Sequence, residues 1–367
     1  MNGEKKFKLM VAAGGTGGHL FPAIAVLEQI DKLTNGNFEA YFVGNAHRIE
    51  GRVVPMKGYN LLDLPISGFP GLFSTKIFSL PFKIMKSKSM CRKLIREFKP
   101  DALLCAGAYI SYPAASAAYA EKVPVYLMES NVVPGKTISM LAKKAKMIFT
   151  SFPESSKYFP ENLKSRLNCI GNPVRNDILS LPAKEESLKK LGLSLQKRTV
   201  LIFGGSLGAR SINNAALSAI ESADKDSIQF IWQTGKNFRY EGSHTNVRAM
   251  EFIDDMATAY SAADLVLSRA GATSISEICV TGKPSVLVPY PLAANNHQEL
   301  NAKVMEENGA SIFAADDKIG SMLSDILSSL LCDDNKLEAM SASALAMAKP
   351  DAAEKIGREI LESDLNN

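Results

Sequence analysis

The sequence predicts an α/β protein built from two doubly wound parallel-sheet domains. Short apolar segments alternate with helical patterns, which is the order expected for parallel strands joined by crossover helices. Two glycine-rich turns, at residues 14–18 and 204–208, each follow an apolar strand and open a helix. The segment DALLCAGA, beginning at Asp101, is echoed by DLVLSRAGA, beginning at Asp264. Both halves of the chain therefore look like variants of one α/β plan.

The clearest strands of the first half are the apolar segments 7–11, 38–43, 102–105, 123–128 and 146–150. The first of them leads into a helical pattern in which Ile24, Leu27 and Ile30 share one face. We predict Pro22 in the first turn of this helix, where a missing N–H has no consequence. A charged, proline-marked passage at 181–186 indicates a linker before the second half, which opens with the strand 199–203.

The first glycine-rich turn, AAGGTGGHLFPAIA over residues 12–25, is the strongest local signal. Its glycines remove side chains where backbone N–H groups meet a helix N-terminus, which leaves a cradle for an anion or a sugar hydroxyl. A dinucleotide fingerprint would need glycine in place of Leu20, and a P-loop would need a Lys-Ser/Thr pair. Two interpretations remain: a phosphate- or sugar-approach loop with His19 on its rim, or a tight turn with His19 capping the helix.

The second half carries the string SRAGATSISE over residues 268–277, directly after an apolar strand at 264–267. Its small residues open a helix whose free N–H groups and partial positive charge suit a diphosphate, and Thr273 and Ser274 add hydroxyls. Glu277 could accept two hydrogen bonds from a ribose diol, or it could be a structural capping residue. The amides at 295–298 could bind sugar hydroxyls, or they could form an N-cap.

Composition and charge exclude several classes. The chain has 367 residues with 46% apolar and 22% charged content, which suits two ordinary domains and argues against disorder. A net charge of +4 is too small to indicate nucleic-acid binding by itself. The five scattered cysteines have neither disulfide-framework nor zinc spacing, so a reduced cytoplasmic setting is expected. The sequence suggests neither a signal peptide nor a run of about 18 apolar residues that could span a membrane.

Six motifs in order resemble the MurG family, the bacterial N-acetylglucosaminyltransferases of glycosyltransferase family 28. These motifs are GGTGGH at 14–19, GNPVR at 171–175, GGSLGAR at 204–210, FIDDM at 252–256, RAGATSISE at 269–277 and HQxxNA at 297–302. The first is shared with related glycosyltransferases, whereas the six together are highly specific. Two details depart from the family: residues 272–274 are Ala-Thr-Ser where many relatives have Ala-Leu-Thr, and the usual Asp before HQ is missing.

The resemblance implies a GT-B fold, in which two Rossmann-like domains face a central cleft. An N-terminal domain over residues 1–171 would approach the acceptor and the membrane, and a C-terminal domain over 172–348 would bind the UDP-sugar. A C-terminal helix within 349–367 would pack back on the first domain. No metal or dissociable cofactor and no nucleic-acid partner are expected.

The implied reaction is inverting transfer of N-acetylglucosamine from UDP-N-acetylglucosamine to the muramyl 4-hydroxyl of lipid I, giving lipid II for peptidoglycan synthesis. The implied location is peripheral, on the cytoplasmic face of the inner membrane, where other cell-wall synthesis proteins would be further partners. Two rival functions remain open on the residues alone. A hexosamine 2-epimerase would share the fold and the UDP-sugar site, and a noncatalytic sugar-nucleotide sensor could dispense with His19.

Carried over motif by motif, the resemblance assigns roles to individual residues. Ile253 would meet uracil through its backbone, Glu277 would bind the ribose, and Ser206 and Ser274 would contact the diphosphate. His19 is the first candidate for the general base, because an imidazole titrates near working pH; alternatively it orients the pyrophosphate. Glu129 and Asn131 are further candidates for the base. The remaining donor-binding residues implied are Thr16, Gly17, Gly18, Asn131, Arg175, Ala272, Thr273, Ile275, Ser276 and Gln298.

Residues 66–90 combine apolar side chains with lysines and contain no acidic residue. A lipid-tailed acceptor stays in the bilayer, so we expect this stretch to dock on an anionic membrane surface. The alternative is an amphipathic helix packed on the sheet, which we expect for Ile84, Met85 and Leu94. The residues predicted to face the membrane are Leu72, Phe73, Ile77, Phe78, Phe82, Lys83 and Lys86.

Overall fold

A computed structural model describes residues 6–66, 78–205 and 207–365 of the chain. The strands are β1 (Phe7–Ala12), β2 (Phe38–Gly44), β3 (Asn60–Asp63), β4 (Ala102–Cys105), β5 (Val125–Glu129), β6 (Met147–Thr150), β7 (Leu167–Cys169), β8 (Arg198–Phe203), β9 (Ile228–Gln233), β10 (Val247–Met250), β11 (Leu265–Ser268), β12 (Ser285–Leu287) and β13 (Ser311–Phe313). The α-helices are α1 (Gly17–Leu33), α2 (Ile49–Met56), α3 (Leu80–Phe98), α4 (Ser111–Ala120), α5 (Lys136–Leu141), α6 (Asn176–Leu179), α7 (Lys184–Leu191), α8 (Arg210–Ser222), α9 (Met256–Ala262), α10 (Ala272–Thr281), α11 (His297–Glu307), α12 (Ile319–Leu331), α13 (Asp334–Met347) and α14 (Ala352–Leu365).

The chain divides into two compact units, one of Met1–Arg175 with Asp351–Asn367 and one of Asn176–Pro350. In the described residues, the first unit has a seven-stranded sheet in the order β3-β2-β1-β4-β5-β6-β7, and the second a six-stranded sheet in the order β10-β9-β8-β11-β12-β13. The described strand pairs in both sheets are parallel. When the strands of each sheet are renumbered from the first of them in the chain, the second sheet has the order 3-2-1-4-5-6. The first sheet has the same order with a seventh strand added at the end. The predicted fold class, two doubly wound parallel-sheet domains of the GT-B type, is confirmed.

Alternating side chains of β1 show why this segment forms the centre of the first sheet. Leu9 and Val11 belong to one buried layer, and Met10 and Ala12 belong to the layer on the opposite face. A strand with both faces covered by helices must be apolar throughout, as this one is. The final helix, α14, joins the first of these layers beside α1, and Gly357 permits the close approach because a Cβ there would lie 3.2 Å from Ile30.

The strands singled out in the sequence agree with the structure to within two residues at each end. Among the strands that were not singled out are the buried β9, the short β13, and the three strands β3, β7 and β10. These three strands are short and lie at sheet edges, and their residues are partly exposed, so they lack a continuous apolar run. The position predicted for Pro22 was wrong. The helix begins at Gly17, so Pro22 lies in its second turn and removes one intrahelical hydrogen bond.

The two halves of helix α3 differ in how far their apolar side chains are buried. Its carboxyl half packs Leu94 against the sheet, and Ile84 is partly buried on the same core layer. The expectation that Met85 packs there was wrong: its side chain is 68% exposed, since it lies on the outer face of the amino-terminal half. Within the described residues, no helix has the length and apolar character required to cross a bilayer.

Candidate active site

The loop after β1 lies at the carboxyl edge of the first sheet and leads into α1, in whose first turn His19 lies. Thr16 adopts an extended conformation at the N-cap of α1, with φ of −145°. Its hydroxyl oxygen lies 3.1 Å from Nδ1 of His19. The Nε2 side of the ring faces the loop after β4, where a Cβ on Gly107 would lie 3.3 Å from Nε2. Gly107 has φ of +86°, and a side chain at this position would crowd the imidazole ring.

Glu50 fixes the glycine loop from behind. Its completely buried carboxylate accepts a hydrogen bond of 2.9 Å from the Gly15 N–H and one of 3.0 Å from the Asn45 N–H. One side chain thus ties the loop after β1 to the loop after β2. A Cβ on Gly14 would overlap this carboxylate, so the glycine is required for packing as well as for any ligand.

Glu129 has a similar role at the end of β5. One carboxylate oxygen accepts hydrogen bonds from the backbone and side-chain N–H groups of Asn131, at 2.9 and 3.2 Å, and the other accepts one of 2.8 Å from the Gly135 N–H. Burial raises the pKa of Glu129, and these N–H groups act in the opposite direction. Because both oxygens are engaged by the loop that follows the strand, the geometry of Glu129 suits a loop organiser better than a general base.

In the second unit, the string RAGATSISE forms the amino-terminal end of α10. Gly271 occupies the N-cap and has no side chain to cover the helix end. Thr273 and Ser274 lie in the first turn, where N–H groups are directed out of the helix and the helix dipole is positive. This end of α10 has the chemistry that an anionic group such as a diphosphate requires.

Glu277 lies one turn further along α10, where it is nearly buried and accepts a hydrogen bond of 3.1 Å from the Tyr260 hydroxyl. Two neighbouring residues of the predicted donor site, Ile275 and Ser276, make hydrogen bonds within α10. The side chain of Ile275 is in the core and its N–H is bonded to the Gly271 carbonyl. The Ser276 hydroxyl donates to the Ala272 carbonyl at 2.9 Å.

The loops after β8 and β10 are tied together by a buried glutamine, Gln233. Its Nε2 donates to the Gly205 carbonyl at 3.0 Å, and its Oε1 accepts from the Ile253 N–H at 2.9 Å. The N–H of Ile253, a residue predicted to meet uracil through its backbone, therefore already has an internal acceptor. Ser206 lies outside the described residues.

The amides of the HQxxNA motif are also engaged by the protein. Gln298 Oε1 accepts a hydrogen bond of 2.9 Å from the Tyr290 N–H, which orients the side chain. Asn301 is completely buried and donates to the Ala270 carbonyl, just before α10. This motif therefore supports the loop that precedes the α10 N-terminus.

Arg175 ends the GNPVR motif in the first unit. The carbon at the centre of its guanidinium lies 5.3 Å from the centroid of the Phe21 ring, within the range of a cation–π interaction. Phe21 belongs to α1, four residues after Gly17, so Arg175 is held near the helix that the glycine loop opens.

Several of the predicted site residues lie at the carboxyl edges of the two sheets, where parallel α/β domains bind ligands. Thr16, His19 and Asn131 follow strands of the first sheet, and Ile253 and Thr273 follow strands of the second. Sequence reasoning missed Glu50 and Gln233. The signal that could have found Gln233 is a polar residue ending the buried strand IQFIWQ; Glu50 carries no comparable signal, since an acid in a first helical turn is common.

Comparisons with known proteins cover almost the whole chain. Residues 9–150 match the glycosyltransferase family 28 N-terminal domain, and residues 199–356 match the glycosyltransferase family 28 C-terminal domain. The crystal structure of MurG from Acinetobacter baumannii superposes with a TM-score of 0.75 at 27% identity, covering 97% of this chain and 99% of that one.

Two curated relatives carry the name UDP-N-acetylglucosamine–N-acetylmuramyl-(pentapeptide) pyrophosphoryl-undecaprenol N-acetylglucosamine transferase. The protein from Bacteroides thetaiotaomicron is 38% identical over 369 residues, covering 98% of each chain. The protein from Christiangramia forsetii is 39% identical over 369 residues, covering 99% of each chain.

The packing of Gly14 on Glu50 makes a testable prediction. Gly14→Ala should lower the free energy of unfolding by about 1–3 kcal/mol, because the new methyl group overlaps a buried carboxylate that cannot move without releasing two loops. Urea unfolding measures this. Gly320→Ala in α12 is the control, since a Cβ there meets nothing within 4 Å and should stabilise the helix. Equal stability of the two variants would contradict the prediction.

Proposed function

The chain belongs to the MurG group of glycosyltransferase family 28, and we propose that it transfers N-acetylglucosamine from UDP-N-acetylglucosamine to the muramyl 4-hydroxyl of lipid I. The products are lipid II and UDP, in a step of bacterial peptidoglycan synthesis. The observation that carries this function is 38–39% identity, over nearly the full length, to relatives that bear the transferase name. That name also favours a transferase over the epimerase and sensor alternatives.

Donor binding is proposed for the carboxyl edge of the second sheet. The α10 N-terminus, with Thr273 and Ser274, offers N–H and hydroxyl groups to the diphosphate. Glu277 offers its carboxylate to the ribose, while retaining the Tyr260 hydroxyl as a second partner. Ile253 meets uracil through its backbone, either by its carbonyl or by an N–H shared with Gln233. Additional proposed contacts are Thr16, Gly17, Gly18, Asn131, Arg175, Ser206, Ala272 and Gln298.

The proposed chemistry is a single displacement. The acceptor 4-oxygen forms a bond to the anomeric carbon as the bond to the diphosphate oxygen breaks, which converts the α-linked donor into a β-linked product. His19 Nε2 accepts the hydroxyl proton. This role requires the tautomer in which Nδ1 is protonated and donates a hydrogen bond to Thr16 Oγ1. The helix N-terminus and Arg175 stabilise the charge that develops on UDP.

One experiment separates the proposed reaction from its rivals. The protein is incubated with labelled UDP-N-acetylglucosamine, with and without lipid I, and the products are separated. A transferase gives a larger lipid-linked product only when lipid I is present. An epimerase changes the sugar nucleotide without lipid I, and a sensor changes neither substrate; either of these results contradicts the proposal.

Replacing the proposed base should affect turnover and spare donor binding. His19→Ala is expected to lower kcat by about 10²–10⁴-fold, the usual loss for a general base. The affinity for UDP, which is assigned to the other unit, should change little in calorimetry. His47→Ala is the matched control, because His47 is exposed in the loop after β2. Near-normal turnover of His19→Ala at saturating substrates would assign His19 to structure instead.

Removing the proposed ribose acceptor should affect binding. Glu277→Ala is expected to weaken UDP binding by about 1.5–3 kcal/mol, or roughly 10- to 150-fold, because two hydroxyls lose a charged acceptor. Tyr260→Phe controls for loss of the internal hydrogen bond to Glu277. Calorimetry measures the UDP affinity of both folded variants. Unchanged UDP affinity in Glu277→Ala would remove this residue from the site.

Membrane docking is proposed for the amino-terminal half of α3 and the residue pair before it, and it would place the enzyme peripherally on the cytoplasmic face of the inner membrane. Phe78 and Phe82 are 81% and 75% exposed, far more than apolar side chains of this size usually are. Lys83 and Lys86 lie on the same helix and would attract anionic lipid. The other residues predicted for this surface, Leu72, Phe73 and Ile77, lie outside the described residues.

The docking surface can be tested with vesicles that contain phosphatidylglycerol. Phe78→Ser with Phe82→Ser should reduce salt-sensitive co-sedimentation, while transfer to a short-chain soluble acceptor persists, because the apolar anchor is lost and the site is intact. Leu195→Ser with Met322→Ser removes exposed apolar side chains from the second unit and should leave co-sedimentation unchanged. If the two double variants co-sediment alike, the docking surface lies elsewhere.

A further inference from the structure

Gln233 occupies a position from which one side chain reaches two loops of the proposed donor site. It is the last residue of β9 and is paired in register with Phe203, which ends β8, and with Met250, which ends β10. Its side chain is 5% exposed and lies between the loops that follow those flanking strands. Its two amide atoms bond to one loop each, to the Gly205 carbonyl and to the Ile253 N–H.

Close backbone packing restricts the conformations of the loops around Gln233. A Cβ on Gly208 would overlap the Thr234 carbonyl, and a Cβ on Gly235 would overlap the Gly208 backbone. The loops after β8 and β9 thus pack backbone to backbone. Asn213 of α8 secures the same contact by donating to the Thr234 carbonyl at 2.8 Å. The hydrogen bond that Gln233 Oε1 accepts from the Ile253 N–H extends this packing to the loop after β10, as do the bonds that the Thr234 and Gly235 N–H groups donate to the Met250 and Glu251 carbonyls.

We propose that Gln233 is a positioning residue for the nucleotide: it holds the loop assigned to the diphosphate and the loop assigned to the base in the relative positions that UDP requires. This inference rests on the proposed function and adds to it a residue that none of the six motifs contains. Holding both loops before binding removes part of the ordering cost that the ligand would otherwise bear.

The chemistry of the side chain explains the choice of glutamine. The position needs a donor toward a carbonyl and an acceptor for an N–H, and a primary amide supplies both without charge. Glutamate would lose the donor and place a negative charge behind a loop proposed to bind a diphosphate. Methionine has nearly the same length and supplies neither hydrogen bond.

The chain contains a matched control in the same strand. Gln229 is the second residue of β9 and is 1% exposed. Its amide also binds a neighbouring segment: it accepts a hydrogen bond from the Ser194 N–H at 2.9 Å and donates one to the Ser194 carbonyl at 2.7 Å. It lies at the amino-terminal edge of the sheet, away from the proposed donor site. Gln229→Met and Gln233→Met therefore remove comparable buried amides from opposite edges.

The experiment measures UDP affinity by calorimetry, and kcat and KM for UDP-N-acetylglucosamine, in the full-length protein and both variants. Both variants should lose similar thermal stability. Gln233→Met alone should weaken UDP binding and raise KM about tenfold with kcat nearly unchanged, as expected if about one molecule in ten has both loops in place. Amide hydrogen exchange over residues 251–256 should accelerate in Gln233→Met and not in Gln229→Met.

Each result decides between the possibilities. Equal UDP affinity in the two variants, or a loss of kcat without a rise in KM for Gln233→Met, overturns the positioning role. Failure of the unmodified protein to bind UDP overturns the proposed function and this inference together, whereas tight binding by the unmodified protein and by Gln233→Met overturns only the inference. If Gln233→Met does not fold, Gln233→Asn, whose amide is one methylene too short to reach both loops, replaces it with the same expected direction.

Discussion

The hydrogen bonds that the Glu50 carboxylate accepts from the Gly15 and Asn45 N–H groups are the constraint on which the first unit's site depends. A glycine-rich loop has few side chains of its own to fix it, and glycine pays the largest backbone entropy on ordering. A completely buried acceptor that reaches two loops removes this freedom. The position of His19, two residues into the helix that the loop opens, follows from that tie.

The two units use different side-chain groups to fix the loops at the carboxyl edges of their sheets. In the first, carboxylates of Glu50 and Glu129 collect N–H groups from loops at the carboxyl edge of the sheet. In the second, the neutral amide of Gln233 accepts one hydrogen bond from the Ile253 N–H and donates one to the Gly205 carbonyl. The difference is consistent with the proposed ligand, because a buried negative charge behind a diphosphate-binding loop would oppose binding across a medium of low polarity. Glu277, the acid on α10, is assigned to hydroxyl groups instead.

Much of the fold was predictable because apolar strands buried on both faces are continuous and easily recognised in sequence. The repeat of strand, glycine turn and helix in each half gave the two-domain architecture, and the apolar segments gave the approximate ends of β1, β2, β4 and β8. Edge strands such as β3 and β10 were missed, since they are short and partly exposed. The start of α1 was placed too late because Pro22 resembles a first-turn residue, whereas the extended conformation of Thr16 sets the actual N-cap.

By itself, the sequence determined the fold class, the family and the motifs from which the site is built, because these depend on residue types at fixed spacing. Only the tertiary structure decided what those residues bond to. Glu50 is 35 positions from Gly15, and Gln233 is 28 positions from Gly205, separations at which sequence spacing carries no information about contact. The folded sheets bring them together, since parallel strands place their carboxyl ends, and the loops that follow, along one edge.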